Sequence, residues 1–140
     1  MSVDTFVKSE LDNLKVAKFR SVAETVFGLL IDFGRYFILD TGVSDIRESY
    51  IGNSYVIMFD VFTIDGARQF EVDFRIDKTS NRVMSNFKVR LLTVHAKVYG
   101  DLYRNVIDEK QFSFGAYERA EEISKWIIES WNDYCTSFSV

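Results

Sequence analysis

From residue 43 to residue 99 apolar and polar positions alternate with the period of a β-strand, and short polar turns interrupt the alternation. Over 67–77 it is complete: Phe70, Val72, Phe74 and Ile76 fall on one side, Gln69, Glu71, Asp73 and Arg75 on the other. Asp65-Gly66 predicts a two-residue hairpin turn, because Gly and Asp tolerate the positive φ such a turn needs. Gly52-Asn53 predicts a second turn, and Lys78-Thr79-Ser80-Asn81 a third. Turns set register, and register decides which residues share a face. The first turn places Phe59 opposite Val72, the second places Ile46 opposite Phe59, and the third places Phe87 opposite Val72. One face then carries Ile46, Tyr55, Ile57, Phe59, Val61, Phe70, Val72, Phe74, Ile76, Phe87 and Val89, an apolar layer that requires a cover.

The cover is predicted to be helical. Val3, Val7, Leu11 and Leu14 form a stripe over 3–14, and the stretch from Leu14 to Phe19 reads equally as a short strand or as more helix. Ser21-Val22-Ala23-Glu24 has the form of a capping box and starts a second helix, with Val22, Val26, Leu29, Leu30, Phe33 and Phe37 at helical spacing and Asp40-Thr41-Gly42 at its end. A third helix spans 116–136, with Tyr117, Ala120, Ile123, Ile127, Trp131, Tyr134 and Phe138 on one face; Trp126 and Ile128 lie off that stripe. The strand over 83–99 changes apolar parity at Leu91-Leu92, which predicts a bulge there, and a further strand is expected near 102–107. The expected fold is therefore α+β and two-layered: an antiparallel meander of four or five strands over about 43–107. Two N-terminal helices and one long C-terminal helix cover one of its faces, in a single domain spanning 1–140. A closed cone or helix-grip fold with an internal pocket is the structural alternative.

Composition narrows the function classes. Cys135 is the only cysteine, which excludes an internal disulfide and fits a reducing, cytoplasmic setting; His95 is the only histidine. The apolar run Val22–Leu39 is interrupted by Glu24, Asp32 and Arg35, so no membrane span is expected, and no signal peptide is visible at the start. The net charge of −4 is unevenly placed: 78–104 holds six cations against Asp101 alone.

The outward face of the meander is the most informative part. The registers line up Asp45, Asp60 and Glu71 beside Lys88, a candidate row for a hard cation that Lys88 and Arg47 are equally placed to neutralise. Val56, Met58 and Phe62 share that face and suggest an interface, with a homodimer as the first expectation. Lys88, Arg90, His95 and Lys97, with Thr93 between them, form a basic stripe for an acidic protein or a phosphate backbone, beside Tyr99 and Tyr103. The sequence pI of about 5.0 weighs against general nucleic-acid affinity. On the core face Glu48, with Tyr50 and Tyr55, marks either the polar corner of a ligand pocket or an inward charge on an edge strand.

No catalytic motif is present. Ser21 and Ser44 lack a Gly-x-Ser-x-Gly setting, and the seven glycines are never clustered into a phosphate loop. The expected function is a small non-enzymatic protein-binding module, an adaptor, chaperone or inhibitor, with no cofactor. The alternatives are a small-ligand carrier or enzyme using the Glu48, Tyr50 and Tyr55 region, and nucleic-acid contact through the basic stripe.

Overall fold

The computed structural model describes residues 3–79, 82–96, 102–113 and 117–137. The chain begins with α1 (Val3–Asp32), a 3₁₀ turn (Gly34–Tyr36), β1 (Thr41–Val43), β2 (Arg47–Ile51) and β3 (Ser54–Thr63). It continues through β4 (Gln69–Thr79), β5 (Arg82–Val83), β6 (Asn86–Ala96) and β7 (Leu102–Ser113) to α2 (Tyr117–Thr136). Among the described residues the architecture is an antiparallel sheet of seven strands, flanked by two helices, one N-terminal and one C-terminal to it. This corrects the expectation of three helices over four or five strands. Among the described residues no helix is long and apolar enough to cross a membrane.

The expected pair of N-terminal helices is one helix of 30 residues. Lys15-Val16-Ala17-Lys18-Phe19-Arg20 contains neither Gly nor Pro, so nothing in the backbone breaks it. Ser21 starts no new helix; its carbonyl accepts from Thr25 Oγ1 at 2.7 Å within the running helix. Phe19, Val22, Ala23, Val26 and Leu30 make one buried stripe across the supposed junction. The Phe19 ring packs edge-on against Tyr55 and Phe87, with centroids 5.6 and 5.8 Å away.

The helix also ends earlier than its apolar spacing implies. It stops at Asp32, and the chain leaves through the 3₁₀ turn, where Tyr36 N–H donates to the Phe33 carbonyl. Phe37 is still buried, but from an extended position. Gly42 is therefore no helix cap. It lies in β1, where the Phe62 ring crosses it so closely that a Cβ would stand 2.7 Å from Phe62 Cζ. Gly42→Ala is expected to cost about 1–3 kcal/mol, the range for overpacking a filled site. Phe62→Leu in the same chain should recover part of that loss in a double-mutant denaturation cycle.

The strand order along the main path is β1-β3-β4-β6-β7, with β2 also on β3 and β5 also on β4. Two predicted registers hold: Phe59 pairs with Val72, and Glu48 pairs with Ile57 across the Gly52-Asn53 turn. Gly52 and Gly66 take φ of +60° and +76°, the left-handed conformation these turns require. The third register differs. Leu91, not Phe87, faces Val72, because β5 pairs with the end of β4 and Met84-Ser85 then intervene before β6. Helix α1 holds β5 in place: Asp12 accepts from Arg82 Nε and Val83 N, and Lys15 Nζ donates to the Val83 carbonyl. The slip is an even number of residues, so the faces survive it.

The Leu91-Leu92 irregularity is real but belongs to the neighbouring strand. Against β4, strand β6 runs without a break through Leu91, Leu92 and Thr93. Against β7 it jumps from Asp108 to Val106, leaving Ile107 as the extra residue. Thr93 therefore falls on the core side with Phe70, and Leu92 on the outer side with Glu71.

Both helices pack on the core face. Trp131 of α2 lies edge-on to Phe70 at 5.0 Å, and Trp126 lies 6.1 Å from Phe112. Trp126 and Ile128 are buried, so they widen the inward face of α2. Every residue expected on the apolar face of the sheet is buried except Ile46, which is half-buried.

Candidate functional site

The outer face of the sheet is charged and divided. Three of its rows follow from the registers: Asp60, Glu71, Leu92, Val106; then Arg47, Met58, Asp73, Arg90, Glu109; then Ser49, Val56, Arg75, Lys88, Gln111. The first end is acidic. Arg47 neutralises it with a bidentate pair to Asp60, Nη1–Oδ2 3.0 Å and Nη2–Oδ1 3.1 Å. The Asp60 hydrogen bond holds the Arg47 guanidinium above its ordinary range, and the charges of Glu71 and Asp73 add to it.

The expected cation row does not assemble. Asp45 lies exposed in the link between β1 and β2, because the register changes between Val43–Val61 and Arg47–Met58. Ser44 takes the place beside Asp60, with its Oγ accepting from Asp60 N–H at 2.7 Å. Lys88 is not opposite Glu71. Among the described residues no group of three His, Cys, Asp or Glu side chains is placed to hold a metal ion.

At the other end of the face the third register brings Arg75 directly beside Lys88. Like charges in that position repel. Asn53, Ser54, Arg75, Asp77, Lys78, Thr79, Lys88, Arg90 and Glu109 enclose a cleft of about 330 Å³, with four cations against two carboxylates. Ser54 Oγ donates to Asp77 Oδ1. Glu109 is shared, with Lys88 Nζ at 3.9 Å and Arg90 Nε at 3.5 Å, and the Arg90 Nε makes no hydrogen bond to it. No ion pair joins Arg75 to any described residue, and its Nε is shut off from solvent without an acceptor. A buried donor left unpaired costs about 1–3 kcal/mol.

Arg75 is the residue that sequence reasoning missed. Its outward position was legible from the alternation, but its neighbour was not, because the register across the third turn was misplaced. The basic stripe is thus half assembled. Lys88 and Arg90 are in the cleft, Thr93 is turned to the core, and His95 and Lys97 lie outside the residues whose side chains are described.

The apolar residues of the outer face are not presented as a patch. Val56 and Leu92 are buried at 0% and 4% exposure, Met58 is half-buried, and Phe62 is folded over Gly42. On the core side Arg20 of α1 closes the Glu48, Tyr50 and Tyr55 corner. Its Nη2 donates to Tyr55 Oη at 2.8 Å, and its Nε lies 3.3 Å from Glu48 Oε1. Burial pushes the Tyr55 phenol up, so it stays protonated at neutral pH. Glu48 remains substantially exposed and paired on the edge strand β2, and Tyr50 is exposed. Cys135 is buried, and burial raises its thiol, which disfavours the nucleophilic thiolate.

A second hollow of about 450 Å³ lies between the end of α1 and α2, lined by Phe33, Tyr36, Ile128 and the stems of Glu121, Lys125 and Glu129. Asn132 borders it and ties it to the chain after α1, accepting from Ile38 N–H at 3.0 Å and donating to the Tyr36 carbonyl at 2.9 Å. Comparison of the chain with protein-family models, curated proteins and solved structures finds no match.

Proposed function

We propose that this protein is a small non-enzymatic binding module that holds an acidic segment of another protein in the basic cleft on the outer face of its sheet. The observation that carries the reading is the Arg75–Lys88 pair: adjacent cations, one of them with no acidic partner among the described residues, in a chain of net charge −4. An acidic segment supplies the missing acceptors and gains affinity from a local positive field. Two features favour a protein over a nucleic acid. Among the described residues the cleft is lined by no aromatic side chain on which a base stacks, and Asp60, Glu71 and Asp73 continue the face where a phosphate backbone would run. Val56 and Leu92 are already buried, so this face offers a homodimer little further apolar area.

The test is a titration by fluorescence anisotropy with a labelled glutamate-rich peptide and, separately, a single-stranded oligonucleotide of equal charge. The peptide is expected to bind, to weaken as salt rises, and to lose binding in the Lys88→Glu, Arg90→Glu double variant. Tighter binding of the oligonucleotide would move the function to nucleic acid. Absence of binding by either at low salt would sink the cleft as a partner site.

A further inference from the structure

We infer that Arg75, Lys88 and Arg90 seat a phosphate monoester dianion carried by the bound segment; this rests on the cleft being the partner site. The charge balance selects the ligand. Four cations line the cleft against two carboxylates, of which Asp77 is engaged by Ser54 and Glu109 is divided between Lys88 and Arg90. Within that lining two positive charges are left over, and because Asp73 stands opposite Arg90 on the same face, they gather at Arg75 and Lys88. A carboxylate neutralises one of them, whereas a phosphate monoester carries about −1.5 to −2 at neutral pH and three acceptor oxygens. The planar guanidinium of Arg75, paired with no carboxylate among the described residues, offers a two-donor fork to two of those oxygens, and Lys88 opposite it supplies a point charge for the third. A smaller hollow of about 240 Å³ borders the same Arg75, Asp77 and Lys88 from the side of Met84 and Gln111, so the chain on either side of the phosphate has room to continue.

The experiment follows the Arg75 Nε–Hε resonance by NMR while methyl phosphate, acetate or chloride is added at equal ionic strength. Methyl phosphate is expected to shift it saturably and the other two are not. Arg75→Lys, which keeps the charge and removes the fork, should lose most of the affinity with the backbone amide spectrum preserved. A response no larger than that to acetate overturns the inference. In a second arm, two acidic peptides of one sequence differ only in phosphorylation of a central serine. At least about tenfold tighter binding of the phosphopeptide, lost in Arg75→Gln, supports the seat. Equal binding of both peptides leaves the acidic-partner reading standing and overturns the phosphate. Saturation by methyl phosphate that neither peptide displaces assigns the seat to a free phosphate ester, and overturns the segment as its source.

Discussion

Trp131→Ala is expected to lower the unfolding free energy by about 3–5 kcal/mol, the range for truncating a fully buried aromatic residue. Trp131 is 0% exposed and is among the largest fully buried side chains. Its ring meets Phe70 of β4 edge-on at 5.0 Å and Tyr134 at 5.9 Å, and its Nε1 donates to Thr41 Oγ1 of β1 at 3.1 Å. One side chain therefore ties α2 to the middle and the edge of the sheet. Its removal opens a hole bounded by strands and helix, which neither can close alone. Trp131→Phe keeps most of the packing and loses the indole hydrogen bond, so it should cost about 1 kcal/mol more than the lost ring area alone. Urea denaturation followed by far-UV circular dichroism reads both. A loss of no more than about 0.5 kcal/mol in Trp131→Ala, as for a surface position, would show that α2 does not depend on this contact.

The second large effect is expected from Ala17→Pro, at about 3 kcal/mol or more. Ala17 is exposed, so the substitution removes no core packing and acts through the backbone alone. Proline there lacks the N–H that bonds one turn back, and its ring collides with the carbonyl of Asn13. Both penalties exist only if residues 14–20 are helical. Two helices meeting in this stretch would absorb proline at their junction with little loss. Ala17→Gly is the control, at about 1 kcal/mol for an exposed helix interior. Equal stability of Ala17→Pro and the parent would overturn the single helix. The reason to expect one helix lies in Phe19, whose ring sits against Tyr55 and Phe87 and pins the middle of α1 to the sheet.

That contact also explains why the break was misread. A capping box is a local pattern, worth about 1 kcal/mol at a helix start. Burial of Phe19, Val22 and Val26 along one stripe outweighs it, because each fully buried apolar side chain contributes about 1.5–3 kcal/mol. Gly42 shows the same limit from the other direction. Its position after an apolar helical run suggested a cap, whereas its role is to leave room for Phe62, a residue distant in sequence.

Much of the sheet was nevertheless legible in the chain. The alternation over 67–77, and the turns at Gly52-Asn53 and Asp65-Gly66, set the β2–β3 and β3–β4 registers and the membership of the core face. These are local properties: a side chain's face follows from counting by two, and a short turn leaves one pairing available. The pairing of β4 with β6 was not of this kind. It depends on Asp12 and Lys15 of α1 holding β5, and on Met84-Ser85 interrupting the ladder before β6 starts. Those contacts bring together residues about 70 positions apart. The candidate site inherits that dependence. That Arg75, Lys88 and Arg90 face outward follows from the alternation along the chain alone. That Arg75 and Lys88 stand side by side is a property of the folded chain, since their juxtaposition is the sum of registers accumulated across two strand pairs and one helix contact.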